Sequence, residues 1–276
     1  MTRRADMDED RRLLLRCDRV LRALDELSVD RFEPVEGGFA AHTPSLPLVW
    51  DENFVMFEES GLSAERMAEI SDEAQGGAGL AHRTVMTSDP DEDARVEPGF
   101  RRLGWEVEGD VLMVLRAEPE GSPDIEVSEV PHPVELRRAI LNEDEDFLKL
   151  EPERRAKLIE QLIESEGRLS AADGDSWFVA EADGAPASVT RLITHRGGGF
   201  IDAVGTLRSA RKRGLARATV GAAIRASMER GNELTFLIAV EDDWPLHFYE
   251  RVGFEAVGTF RTFRKPPARG DTAADD

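Results

Sequence analysis

The chain has one cysteine in 276 residues, no lysine before Lys149, and no apolar run approaching membrane-spanning length. A single thiol, Cys17, can neither close an internal disulfide nor build a cysteine-based zinc site. It lies in "LLLRCDRVL", where apolar residues recur at helical spacing, so it reads as a small core residue. Without a long apolar run, no membrane span is expected. The opening "MTRRADMDEDRR" lacks the apolar centre of a secretory leader, and the expected location is the cytoplasm. The lysine shortage is a preference for arginine, a bias common in chains from GC-rich genomes, and it carries no function here. No G-x-G-x-x-G follows a first strand, and no lysine-serine/threonine pair follows a glycine loop. A serine nucleophile elbow is also missing, and no histidine and acid group has metal-ligand spacing, so no metal is expected.

The charge is lopsided, with a formal net charge of -21. That balance argues against a nucleic-acid partner, whose binders present a basic face. It suits an amine or another cationic substrate. At 41% hydrophobic and 33% charged residues, the composition is that of a globular protein. The length is comfortable for two domains. "AEPEGSPDIEVSEVPHP" (Ala117 to Pro133), rich in proline and acids, reads as a connector merging into a strand. It separates residues 1–120, the more acidic half, from residues 121–276.

In the first half, a helix is predicted from about Arg11 to Leu27. Strands are predicted in "LPLVW", "NFVMFEE", "AHRTVMTS" and "DVLMVLRAE", with a helix opening at Ser63. The second half reads as a strand near Ile125 to Val130 and helices over Val134 to Leu141 and Pro152 to Glu166. Three strands follow, joined by the turns "ADGAP" and "RGGG". A helix ending at Gly231, the strand "LTFLIAV", the short helix "PLHFYERV" and the strand "AVGTFRTFRK" complete it. The tail over residues 266–276 is expected to be disordered.

Against this acidic background, "RSARKRGLARATVGAAI" (Arg208 to Ile224) concentrates five positive charges in its first ten residues, just where a helix begins. A helix start carries unpaired N–H groups and about half a positive charge, and it binds anions. Gly214 lets a diphosphate approach the backbone, Ala216 keeps the surface flat, and Arg211, Lys212 and Arg213 add charge. A solvated basic helix start is the plainer alternative.

"RKRGLA" (Arg211 to Ala216) matches R/Q-x-x-G-x-G/A, the central motif of the GNAT superfamily of acyl-CoA-dependent N-acetyltransferases. Downstream, "DDWPLHFYERVGF" resembles that family's N-x-x-A-x-x-L-Y-x-x-x-G-F, with Tyr249, Gly253 and Phe254 in register. The resemblance covers roughly Ile125 to Lys265. It implies acetyl-CoA as co-substrate, its pantetheine arm on the main chain of Val204, Gly205 and Thr206. It also implies the pyrophosphate on Arg211, Lys212, Arg213, Gly214, Leu215 and Ala216. Tyr249 resembles the tyrosine that protonates, or hydrogen-bonds, the departing CoA thiolate. Asp242 departs from the usual asparagine, a cofactor contact in the family, and a helix cap is its alternative role.

Acetyl transfer needs a base for the ammonium proton. Asp202 and Glu241 are the candidates, each weighed against a surface or turn acid with no catalytic duty. His247 is read as a partly buried structural residue, and Trp244 and Pro245 as a helix start covering either the site or the core.

The first half resembles a worn copy of the second. "RRLGW" parallels "ERVGF", Phe100 stands where Tyr249 stands, and no R-x-x-G-x-G/A occurs before residue 120. The expected fold is therefore α+β (α/β) with two GNAT-like domains, each a mixed, mostly antiparallel sheet flanked by helices. A splayed strand pair marks the acyl-CoA site of the second. The expected function is an acetyl-CoA-dependent N-acetyltransferase that acts on a small-molecule or peptide amine by direct transfer in a ternary complex. The rival is a non-catalytic acyl-CoA-binding sensor or interaction protein. The chain is expected as a monomer or homodimer, with no nucleic-acid or membrane partner.

Overall fold

Apolar residues at helical spacing build the first element, helix α1 (Thr2–Ser28), whose Leu14, Cys17, Val20, Ala23 and Leu24 are buried. Burial pushes the Cys17 thiol up to about 12, so it stays protonated. The computed structural model describes residues 2–119, 121, 123–170, 174–241 and 244–267. The expected disorder of the tail falls on residues that, from 268 onward, lie outside this range.

The chain divides into two compact units: Met1–Leu27 with Leu112–Val257, and Ser28–Val111 with Gly258–Asp276. These are not the consecutive halves 1–120 and 121–276. Helix α1 goes with the later residues. Strands β5 (Glu106–Leu115) and β11 (Phe254–Lys265) each contribute one end to either unit.

The unit around Ser28–Val111 begins with an antiparallel hairpin, β1 (Arg31–Val35) and β2 (Gly38–His42). Its polar "RFEPV" and Pro34 hid it from the hydrophobic pattern, since proline is tolerated only on an edge strand. "LPLVW" is not the expected strand. It forms turns and a 3-10 segment (Trp50–Glu52) wrapped around buried Asn53. The Asn53 amide donates to the carbonyls of Leu46 and Val49 at 3.0 Å, and its oxygen accepts from the Thr43 amide at 2.9 Å. One side chain thus satisfies the backbone that a ladder would otherwise have paired. Strand β3 (Phe54–Phe57) runs antiparallel to β2 and parallel to β4 (Arg83–Thr87), and β11 closes antiparallel on β4. Helices α2 (Ala64–Gly77) and α3 (Pro90–Arg102) bury Met67, Ile70, Val96 and Phe100 with Val55, Phe57 and Phe263.

The other unit holds β6 (Val127–Val130), α4 (Val134–Asn142), α5 (Pro152–Ser170), β7 (Asp175–Ala182), β8 (Ala185–His195) and β9 (Gly198–Thr206). Then follow α6 (Leu215–Glu229), β10 (Leu234–Val240) and α7 (Trp244–Glu250). Strands β6 to β9 are antiparallel neighbours, and β10 lies parallel to β9 after the α6 crossover. Both hairpin turns place two residues at positive φ: Asp183 and Gly184, then Arg196 and Gly197. This is the backbone twist that two-residue hairpins require.

The two halves of the sequence share one order of elements. The run α1-β1-β2-β3-α2-β4-α3-β5 repeats as α5-β7-β8-β9-α6-β10-α7-β11, with the parallel pair at the same place. The architecture is mixed α/β, with the same order of strands and helices in both halves.

Candidate active site

Strands β9 and β10 start as partners and then part. Their parallel register runs from Gly198↔Leu234 to Ile201↔Leu237 and ends there, although β9 continues to Thr206 and β10 to Val240. At the same point β9 bulges. Val189 of β8 faces Gly205 and Arg191 faces Asp202, so an extra residue sits on β9, and Ala203 takes a positive φ of 51°. Val204, Gly205 and Thr206 follow the bulge on the stretch of β9 beyond its register with β10. Ser188 Oγ fixes the far side, with the Gly205 carbonyl at 3.0 Å and Thr206 Oγ1 at 2.8 Å.

Helix α6 starts beyond the end of β9. Gly214 is its N-cap at φ +85°, a left-handed conformation that favours glycine, and no side chain caps the helix start. The first-turn N–H groups of Leu215 and Ala216 are therefore not taken by a capping side chain. The positive charges are distributed less simply than expected. Arg211 Nε donates to the Thr206 carbonyl at 3.2 Å. Arg213 makes a two-pronged pair with Asp183 in the β7–β8 turn, at 2.7 and 3.1 Å. That pair is exposed, so water competes for it. Arg208 is held through its amide and guanidinium by Glu143.

In unit Ser28–Val111 the equivalent places are closed. Strands β3 and β4 stay in register through Phe57↔Thr87, where both end. The α2 start is capped by Ser63 Oγ, which accepts from the Arg66 amide, and carries Glu65 in its first turn. The Gly61 amide is taken by Glu92 at 3.0 Å. The α2 start is thus capped and carries an acid, where the α6 start is uncapped and carries none.

Tyr249 of α7 is buried and packs edge-on to Phe254, ring centroids 6.3 Å apart. Burial, and then the Asp202 carboxylate, push its phenol above the ordinary range. The structure thus brings Tyr249 and Asp202 within electrostatic reach of each other. Glu241 sits just past the end of β10, half-buried. Asp242 lies outside the described residues, as does the side chain of Trp244. His247 is not the partly buried residue expected from the sequence. Its side chain is 73% exposed and pairs with Glu250 on the same helix at 3.0 Å. Gly253 ends the turn after α7 at φ +99°, and the Ala117 carbonyl fills the place a side chain would need. Sequence reasoning missed Arg137, which reaches the Ala203 carbonyl from α4. One of two adjacent arginines in a short helix gave no signal.

No group of three or more metal-ligating side chains is assembled among the described residues, and no described helix is long and apolar enough to cross a membrane.

An uncapped glycine-led helix start beside a splayed, bulged parallel pair is the arrangement that the resemblance to the GNAT fold implied. Residues 138–254, from within α4 to the first residue of β11, match the acetyltransferase (GNAT) family. Three solved structures share the fold over nearly the whole chain. A functionally unknown conserved protein from Staphylococcus epidermidis ATCC 12228 has a TM-score of 0.68 at 13% identity, over 87% of this chain and 95% of that one. A GCN5-related N-acetyltransferase from Kribbella flavida has 0.62 at 16% identity, over 93% and 96%. A GCN5-related N-acetyltransferase-like protein from Streptococcus suis 89/1591 has 0.52 at 14% identity, over 93% and 98%. No curated protein matches the sequence. Residues 138–254 thus form a GNAT-family domain, and the chain as a whole shares the fold of these solved structures.

Proposed function

We propose that the chain is an acetyl-CoA-dependent N-acetyltransferase that passes the acetyl group directly to a primary amine within a ternary complex. The observation that carries this reading is the opening of β9 from β10 after Ile201, aimed past an α6 start that no side chain caps. Those residues fit a thioester with a diphosphate tail. Main-chain groups of Val204, Gly205 and Thr206 hold the extended arm. The N–H groups at Gly214, Leu215 and Ala216 take the diphosphate, with Arg211 and Lys212 nearby and Arg213 available once it leaves exposed Asp183. Acetyl-CoA supplies the activated acyl group, and the chain supplies orientation and proton handling.

Asp202 accepts the proton of the incoming ammonium, directly or through water, with Glu241 as the alternative base. A main-chain N–H of the bulged strand polarises the thioester carbonyl without reorganising. Tyr249 faces the leaving sulfur. A free thiol has a pKa of about 8.5 and a phenol about 10, and the Tyr249 phenol is held higher still. Outright proton transfer to the thiolate is therefore uphill, and the hydroxyl serves as a hydrogen-bond donor to the departing sulfur. An amine panel read by free-thiol release tests the proposal: turnover with at least one primary amine is expected. Tight acetyl-CoA binding with no turnover on any amine would favour the sensor reading instead.

A further inference from the structure

The bulge of β9 is held from one side by a buried charge network. Ala203 keeps its positive φ there, a conformation that a residue with a Cβ adopts only under constraint. Helix α4 is seated directly on this stretch. A methyl group at Gly205 would lie 2.7 Å from Ile140 Cγ2, and Arg137 Nη1 is 3.4 Å from the Ala203 carbonyl oxygen. Arg137 is buried, and its Nε and Nη2 both donate to the Glu166 carboxylate, also buried. The second Glu166 oxygen is 2.9 Å from His132 Nε2. The His132 ring stacks on Trp177, and the indole carries the Arg191 guanidinium on it, 4.9 Å from the ring centre. Arg191 in turn pairs with Asp175 at 2.7 Å. The facing titratable groups are therefore His132, Glu166, Asp175 and the two arginines.

A buried ion pair is costly to desolvate, and apolar residues of the same volume would stabilise the packing as well or better. What an apolar pair could not supply is the third face of the guanidinium, Nη1, whose direction Glu166 fixes. We propose that Arg137, oriented by Glu166, is a positioning residue that holds the Ala203 carbonyl and with it the bulge. It thereby sets the direction of the main-chain groups at 204–206. The inference deepens the acyl-CoA reading of this strand and rests on it.

The test uses the full chain with two changes. Arg137→Lys keeps a charge beside Glu166 but loses the fork that reaches Ala203. The double variant Arg137→Met/Glu166→Met leaves neither member of the pair buried alone, and His132, which loses its Glu166 contact, keeps its stacking on Trp177. Amide exchange over residues 203–206 is expected to accelerate at least tenfold in both, and acetyl-CoA dissociation constants from calorimetry to rise at least tenfold. The melting temperature of the double variant should stay near that of the parent. A purely structural ion pair predicts the reverse: lower melting temperatures with unchanged exchange at 203–206 and unchanged affinity, and that result overturns the proposal. Should the double variant not fold, Arg137→Lys decides by the same two readouts. If the parent chain itself binds no acetyl-CoA, the functional reading fails, while the exchange measurement still judges Arg137.

Discussion

At the scale of single residues, the environment of each acid and phenol decides what it can do. Tyr249 is the chain's only tyrosine, so a phenol titration followed by ultraviolet absorbance reads it alone. Burial and Asp202 both favour the neutral form, so no phenolate should form near pH 10 while the protein stays folded. Tyr249→Phe preserves the packing against Phe254 and removes only the hydroxyl. It should lower kcat by roughly 10- to 1000-fold, the scale for losing a group that handles the leaving-group charge, with little change in acetyl-CoA affinity. Unchanged kcat in a folded variant with chemistry rate-limiting would assign that role to water. Asp110 shows the same physics acting on stability. Burial, then the Asp51 carboxylate, raise it from 3.8 to about 6. The folded state holds this proton more tightly than the unfolded state. Its contribution is therefore full below about pH 4 and is lost as pH rises through 6. Asp110→Asn should be more stable than the parent by about 3 kcal/mol at pH 7.5, one pKa unit being worth about 1.4 kcal/mol. The advantage should vanish near pH 4. Urea unfolding of both proteins at the two pH values measures it, and a gap independent of pH would refute the assignment.

At the scale of elements, the two helix starts that follow a parallel strand pair's first member make a natural experiment. Helix α6 begins with Gly214 and no capping side chain, whereas α2 begins with Ser63, Glu65 and the Glu92 contact to Gly61. Gly214→Glu places a carboxylate where a diphosphate would sit and should abolish acetyl-CoA binding. Ser63→Ala should cost about 1 kcal/mol of stability as a lost cap and leave affinity untouched. Calorimetry on both variants checks this, with one site per chain expected in the parent. Two sites, or binding undiminished by Gly214→Glu, would place the cofactor elsewhere. Elements with a strong local cause were legible in the sequence: the turns at Asp183-Gly184 and Arg196-Gly197, the α6 start, and the Ser63 cap. What escaped had causes distant in the chain. The β1–β2 hairpin is polar because it is an edge, and "LPLVW" was mistaken for a strand because Asn53 replaces the ladder it lacks. The bulge at Ala203 leaves no residue signature, since no glycine marks its positive φ. The Arg137–Glu166 pair spans 29 positions, beyond any local pattern.

At the scale of the whole molecule, the division of the chain argues against treating its halves as independent. The unit that carries the candidate site takes helix α1 from the start of the sequence and Leu112–Leu115 from the end of β5. Helix α1 is seated closely there: a methyl group at Gly198 would lie 2.7 Å from Val20 Cγ2, and Arg16 pairs with Glu233 at 3.0 Å. Removing its buried Leu14, Val20 and Leu24 alone forfeits about 5 to 9 kcal/mol, at 1.5–3 kcal/mol for each side chain. That is comparable to the whole stability of an ordinary domain, about 5–15 kcal/mol. The same fragment 121–276 would keep Thr262–Lys265 of β11 without β4, their antiparallel partner. It would expose apolar surface and an open edge together, a combination that promotes aggregation. Fragment 121–276 expressed alone should therefore be insoluble or inactive. Co-expression of 1–120 with 121–276 should recover a soluble complex and its acetyl-CoA binding, because the break, although inside the unit that includes Leu112–Val257, falls between β5 and β6 and cuts neither strand. Size-exclusion chromatography and calorimetry distinguish the cases. A monodisperse fragment 121–276 that binds acetyl-CoA as tightly as the full chain would show that α1 and the end of β5 are accessories, and that the second half folds by itself.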